Sequence, residues 1–253
     1  METGLEKEIV IVTGATGGIG TAICKEFMQE GSIVFAVYRG KIEKLHEVSN
    51  WLVENKKFKE LFHPIEMDIS STDSVKIGIA NIIQEFGKID VLVNCAGFSL
   101  ERPFLLTEEE DWNKVIDVNL SVAARLCRIV LKPMFKAKKG AVVNISSVLS
   151  SRFGRGDVAY SAAKAGMNRF TQALAMEVAS KGIRINAICP GLIETKMSSS
   201  LNFRLDKVVN TMTPMQRIGK PEEVAKSVIF LASSKTASFI TGTTLYVDGG
   251  ISI

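Results

Sequence analysis

The sequence predicts an α/β fold, a doubly wound parallel sheet with helices packed on both faces. Three observations carry this prediction. Short runs rich in Val and Ile alternate with longer amphipathic segments from end to end. Those runs are apolar at consecutive positions, as strands covered on both faces must be. A glycine-rich turn joins the first run to the first helical segment, which is how such a sheet begins its crossovers.

Taken in order, the first strand is read at Ile9 to Thr13, followed by glycines and a helical pattern through Glu30. Ile33 to Tyr38 is the second strand. Ile42 to Lys56 is a helix, because Ile42, Leu45, Val48, Trp51 and Leu52 recur at three- and four-residue intervals. Strand Phe62 to Met67, helix Ser71 to Phe86 and strand Ile89 to Asn94 complete a first half of about residues 1–100. In the second half, about 101–253, a long helical region covers Glu108 to Lys138, then strand Ala141 to Ile145, helix Val158 to Lys181 and strand Arg184 to Ile188. A helix opens at Pro221-Glu222-Glu223, where proline suits the first turn and acids suit the positive helix terminus. Thr244 to Val247 is the last strand. Residues 194–219 fit neither period and read as a flap over a site. No linker or low-complexity stretch divides the chain, so residues 1–253 read as a single domain.

Bulk properties narrow the function. A chain of 253 residues buries enough surface to need neither disulfide nor metal. Cys24, Cys95, Cys127 and Cys189 are isolated in apolar stretches, with no metal-ligand spacing, so no metal is expected and a reducing compartment is. The acidic amino-terminal stretch leads straight into a strand, and no apolar run approaches the ~20 residues that span a bilayer. A cytoplasmic protein without a membrane partner is therefore expected. The net charge of +4 is small and dispersed, which gives no case for nucleic acid. His46 and His63 lie in the first half and fit no catalytic role.

Two segments carry chemistry. Thr13-Gly14-Ala15-Thr16-Gly17-Gly18-Ile19-Gly20 sits between a strand and a helix. Glycines there permit a tight turn and bring backbone amides against a phosphate at the helix terminus. At the end of the second strand, Tyr38-Arg39-Gly40-Lys41 has no carboxylate to bind a ribose 2′-hydroxyl. Arg39, with Lys41 nearby, suits a 2′-phosphate instead, so NADP(H) is the expected cofactor. The second segment is Tyr160-Ser161-Ala162-Ala163-Lys164, which puts Tyr160 and Lys164 on one helix face. A neighbouring ammonium favours phenolate and is expected to lower the Tyr160 pKa. Ser146-Ser147 follows a strand at its carboxyl end, where open α/β sheets bind ligands.

These motifs, in this order, resemble the short-chain dehydrogenase/reductase family, a Rossmann-type fold whose cofactor turn reads TGxxxGxG. The resemblance runs through almost the whole chain. It includes Asp68-Ile69 at the adenine position, Asn94-Cys95-Ala96-Gly97 as the NAG motif, and Pro190-Gly191 with Ile193 and Thr195 at the carboxamide segment. It implies cofactor contacts at Gly14, Thr16, Gly18, Ile19, Gly20, Arg39, Asp68, Ile69, Asn94, Ala96, Gly97, Tyr160, Lys164, Pro190, Gly191, Ile193 and Thr195. It also implies a catalytic set of Asn119, Ser147, Tyr160 and Lys164, with Ser147 standing 13 positions before Tyr160. Tyr160 would donate the proton, Ser147 orient the oxygen, Lys164 tune Tyr160 and grip ribose, and Asn119 hold a relay water.

Within the family the chain resembles 3-oxoacyl-[acyl-carrier-protein] reductases, through Leu106 to Trp112, Gly191 to Met197 and Pro214 to Glu223. The expected reaction is thus NADPH-dependent reduction of a 3-oxoacyl thioester, linked to acyl carrier protein or CoA, in fatty acid synthesis. A sugar, polyol or secondary-alcohol dehydrogenase is the second reading, and a non-catalytic NADP(H)-binding regulator the third. Before the catalytic tyrosine, Asp157 and Ala159 stand where those reductases have Gln and Asn. Arg125, Arg128, Lys132 and Lys136 recur at helical spacing, as a solvated face or a stripe for an acidic carrier. Arg152 and Arg155 are placed near the substrate entrance. The last strand resembles the family's intersubunit edge, which implies a homotetramer.

Overall fold

A computed structural model describes residues 2–152, 154–199 and 213–253. The strands are β1 Ile9–Val12, β2 Ile33–Tyr38, β3 Phe62–Glu66, β4 Val91–Asn94, β5 Gly140–Ile145, β6 Ile183–Pro190 and β7 Thr244–Val247. They form one sheet in the order β3-β2-β1-β4-β5-β6-β7, every pairing parallel. The order reverses between β1 and β4, so the carboxyl ends of these strands open on the crevice where such sheets bind ligands. The helices are α1 Gly18–Gln29, α2 His46–Glu54, α3 Thr72–Phe86, α4 Glu109–Ile116, α5 Val122–Ala137, α6 Val158–Val178, α7 Lys196–Ser199 and α8 Pro221–Ala232.

Alternation along each strand sorts side chains into two cores. From β1, Val10 and Val12 join α1, α2 and α8 residues such as Phe27, Val48 and Val228 on one face. Ile9 and Ile11 join α3, α5 and α6 residues such as Ile79, Leu126 and Val178 on the other. Burying both faces is what the unbroken apolar runs require.

The structure differs from the sequence reading in three places. The segment 42–56 is a 3₁₀ turn, Ile42–Leu45, followed by α2, which ends where the Asn55 side chain donates to the Trp51 carbonyl at 2.9 Å. The helical region 108–138 is broken into α4 and α5 by a π-helical segment, Asp117–Ser121. Such wide turns turn side chains off the helix period and occur at functional sites. Arg125 does not belong to a free basic stripe: it donates to the Ile69 carbonyl (3.0 Å) and to Asp117 (3.3 Å), leaving Arg128, Lys132 and Lys136 exposed. Part of the flap assigned to 194–219, residues 200–212, lies outside the described residues. Its two ends meet, for Ile193 bridges Gly219 and Glu194 donates to the Gly219 carbonyl at 2.9 Å.

Arg184 on β6 reaches across to α8 and donates to the Leu231 (2.6 Å) and Ala232 (2.8 Å) carbonyls. A cation on the last carbonyls of a helix satisfies acceptors that have no intrahelical donor. Replacing it leaves two half-buried acceptors unpaired. Arg184→Leu is expected to lower the unfolding free energy by about 2 kcal/mol, measured by urea denaturation.

Candidate active site

The turn after β1 is shaped by contacts that exclude side chains. Gly14 lies at φ +67, and a Cβ there would sit 2.8 Å from the Ala96 backbone. A Cβ on Gly20 would collide with the Gly14 carbonyl oxygen, and one on Gly18 would meet Thr195 Cγ2 at 3.0 Å. Helix α1 then starts with no side-chain cap and no acidic residue in its first turn. Bare amides at a positive helix end fit an anion such as a pyrophosphate. Thr13 was quoted in the motif but given no role. Its Oγ1 accepts from the Cys95 (3.1 Å) and Ala96 (3.2 Å) amides, tying the turn to the segment after β4. A hydroxyl residue at the end of a buried strand was the available signal.

At the end of β2, Arg39 is exposed and its guanidinium lies 3.6 Å from Asp68. Asp68 accepts from the Ser70 amide (3.0 Å) and hydroxyl (2.6 Å), and these bonds, with Arg39, hold its carboxyl below the usual range. Ile69 turns its side chain into the second core and offers its carbonyl to Arg125. Among the 190s, Ile193 is likewise a core residue, whereas Thr195 faces Gly18. Pro190 ends β6, and Gly191 donates to the Val247 carbonyl at 3.0 Å.

The four expected catalytic residues come together at the carboxyl ends of β4 and β5. Tyr160, half-buried in the first turn of α6, lies beside Ser147, whose Oγ accepts from the Leu149 amide at 3.1 Å. Lys164 is buried one turn later; its Nζ donates to the Ile145 carbonyl (2.8 Å) and lies 5.5 Å from the Tyr160 ring centre. Asn119, in the π-helical segment, is fully buried. Its Nδ2 donates to the Phe98 (2.8 Å) and Val115 (2.9 Å) carbonyls, while Oδ1 has no partner. Gly97 keeps this corner open, since a Cβ there would meet Asn119 Oδ1 at 2.7 Å and Lys164 Nζ at 3.5 Å. A buried acceptor without a donor, beside an ammonium and an open corner, suits a water or a ligand hydroxyl.

The expected depression of the Tyr160 pKa is not found. Burial pushes it up to about 12, because Lys164 is spent on the Ile145 carbonyl and only the neighbouring Ser147 hydroxyl works the other way. Tyr160 is therefore a loaded proton donor. Asp157 and Cys95 also oppose its ionisation. Nearby, Arg152 is occupied by the Ile253 carbonyl, Arg155 is exposed, and Tyr246 donates to Ser151 at 3.1 Å. His46 is exposed and His63 packs against Phe35 at 5.1 Å, both away from this cluster. The four cysteines are free thiols. Among the described residues no group of ligand side chains could hold a metal, and no helix is long and apolar enough to cross a membrane.

Known proteins resemble this chain over nearly its whole length. Residues 14–252 match the family profile described as enoyl-(acyl carrier protein) reductase. The chain is 40% identical over 247 residues to the 3-oxoacyl-[acyl-carrier-protein] reductase of Chlamydia trachomatis, covering 98% of each chain. It is 36% identical to that of Thermotoga maritima, covering 98% of this chain and 99% of the relative. The solved structure of levodione reductase superposes with a TM-score of 0.91 at 28% identity, covering 98% of each chain.

The buried Lys164 leaves a signature in stability. Desolvation lowers its pKa from 10.5 to about 8. Between those values the unfolded chain holds a proton that the folded chain has released, so the unfolding free energy rises with pH across that window. Above about pH 10 Tyr160, raised to about 12, acts in the opposite sense. Between pH 8 and 10.5 the unfolding free energy of the native chain, measured by urea denaturation, is expected to gain roughly 3 kcal/mol relative to that of Lys164→Met. The buried thiols and Tyr160 act in the opposite sense in both proteins.

Proposed function

This chain belongs to the short-chain dehydrogenase/reductase family, and we propose that it reduces 3-oxoacyl thioesters, carried on acyl carrier protein or CoA, with NADPH in fatty acid synthesis. The observation that carries the proposal is the placement of Ser147 and a protonated Tyr160 side by side at the carboxyl end of β5. Two donors converging on one point suit a carbonyl oxygen that gains charge as it is reduced.

When bound, the nicotinamide nucleotide supplies the hydride chemistry. The turn from Gly14 to Gly20, with Thr16, Gly18 and Ile19, would hold its pyrophosphate. Asp68, Ile69, Asn94, Ala96 and Gly97 would line the adenosine side, and Pro190, Gly191, Ile193 and Thr195 the carboxamide side. Arg39 is the exposed cation for a 2′-phosphate. Tyr160 gives its proton to the carbonyl oxygen while Ser147 hydrogen-bonds the same oxygen. Lys164 binds ribose hydroxyls, and Asn119 Oδ1 holds the water that returns a proton towards Tyr160. The exposed row Arg128, Lys132 and Lys136 offers an acidic carrier a complementary surface, and the free edge of β7 would pair in a homotetramer.

One observation favours a second reading, a dehydrogenase of a sugar, polyol or other secondary alcohol. Glu101 and Asp157 are carboxylates that repel one another at the turn before α6, whose first turn carries Tyr160, and carboxylates accept hydrogen bonds from substrate hydroxyls.

NADPH consumption with acetoacetyl thioesters, crotonyl thioesters, ketones and sugars tests the assignment. Turnover of the acetoacetyl thioester to the 3-hydroxy product is expected; activity confined to the crotonyl thioester or to sugars defeats it. Tyr160→Phe is expected to lower kcat by about 10²- to 10⁴-fold with the NADPH Kd unchanged, measured by fluorescence titration. Arg39→Asp is expected to raise the NADPH Kd roughly 10- to 100-fold and leave that of NADH little changed.

A further inference from the structure

Behind Ser147 lies a polar cluster that joins three elements: Ser150 in the turn after β5, Asn168 on α6 and Cys189 on β6. Ser150 Oγ donates to the Ser147 carbonyl at 2.6 Å, and the Ser150 amide donates to the same oxygen at 3.0 Å. Asn168 Nδ2 donates in turn to Ser150 Oγ at 2.8 Å. Cys189 Sγ, fully buried, lies 3.4 Å from Ser150 Oγ and 3.7 Å from Asn168 Oδ1. A hydroxyl has one proton, and that of Ser150 is committed to the Ser147 carbonyl. The Asn168 amide and the Cys189 thiol are therefore the donors that complete the cluster.

Tyr160, Lys164 and Asn168 follow one another at four-residue intervals inside α6, so they lie along one face of the helix. The face that sets Tyr160 beside Ser147 thus also grips the Ser147 main chain, two turns further on. That grip bears on the chemistry through the turn it closes. Val148–Ser150 is a single 3₁₀ turn, a conformation with poor hydrogen-bond geometry that needs support from outside. Within it the Leu149 amide donates to Ser147 Oγ at 3.1 Å. With an amide donating to its oxygen, the Ser147 hydroxyl is oriented, and its own proton is left for a substrate oxygen. We propose that Asn168 and Ser150 are positioning residues: the relay from Asn168 through Ser150 to the Ser147 carbonyl holds this turn so that the Ser147 hydroxyl is aimed at the substrate oxygen. The proposal rests on Ser147 being the second donor to that oxygen and is independent of which carbonyl compound is the substrate. Ser150 and Asn168 act through Ser147 alone.

Ser150→Ala removes the hydroxyl, and Asn168→Leu removes the donor behind it. Each is made alone and together with Ser147→Ala. Rates are measured with NADPH and acetoacetyl-CoA, or with whichever ketone of the substrate panel is reduced. Each single change is expected to lower kcat roughly 10-fold and to leave KM and the NADPH Kd within about twofold, because a misaimed donor weakens the transition state more than binding. In the Ser147→Ala background neither change is expected to lower kcat further, since the group they aim is gone. Equal losses in both backgrounds overturn the proposal, as does an unchanged kcat in the single variants. If Asn168→Leu fails to fold, Ser150→Ala, which deletes one oxygen, carries the same test. A Ser147→Ala protein with full kcat removes the catalytic reading of Ser147 and the relay with it, whereas additive losses remove the relay alone.

Discussion

The docking of α6 onto the end of β5 is the constraint from which the site follows. Three polar bonds make it. Lys164 Nζ donates to the Ile145 carbonyl, Ser146 Oγ donates back to the Lys164 carbonyl at 3.0 Å, and Asn144 donates to Thr171 at 2.8 Å two turns along the helix. Asn94 donates to Asn144 in turn, at 2.8 Å, so β4 is tied into the same network. Buried hydrogen bonds of this kind fix register more sharply than apolar contact, because a slip of one residue leaves several groups unpaired. With α6 in this register, Tyr160 meets Ser147 at the mouth of the sheet. Ser146, the neighbour of the expected catalytic Ser147, has the structural part of the pair.

The same docking explains the protonation states. Lys164 is nearly sealed from solvent, and the ammonium spends a hydrogen bond on a main-chain carbonyl, so its pull on the Tyr160 hydroxyl is weak. Desolvation then dominates both groups: it favours the neutral phenol and the neutral amine. A protein in this state offers a proton to a developing oxyanion at neutral pH. The Lys164 charge persists only up to about pH 8, below the range in which Tyr160 ionises, and the open corner at Gly97 and Asn119 Oδ1 is where a bound group would keep it charged.

The centre of the sheet was legible in the sequence because both of its faces are buried, so β1 and β2 announce themselves as unbroken apolar runs; β2 and β7 have the expected bounds. The cofactor turn and the Tyr160–Lys164 pair were legible because their spacing is local. What escaped were features that depend on contacts between distant segments. Arg125 looked like one of a row of surface cations, but the carbonyl that engages it, Ile69, is 56 positions away. The π-helical turn at Asn119 leaves no mark on the hydrophobic period, since its cause is tertiary. The rise in the Tyr160 pKa comes from burial and from where the Lys164 side chain points, neither of which an i, i+4 spacing reports. Asp157 was visible as a substitution, but the Arg102–Gly156 hydrogen bond that clamps the turn before it onto the segment after β4 was not.

Isotope transfer tests the central claim most directly. The protein is incubated with a 3-oxoacyl thioester and NADPH carrying deuterium on the transferring face of nicotinamide C4, and the product is analysed by mass spectrometry and NMR. The geometry predicts a 3-hydroxyacyl thioester with deuterium on the carbon that bears the new hydroxyl. Unlabelled product, or a saturated acyl chain without a hydroxyl, would contradict it.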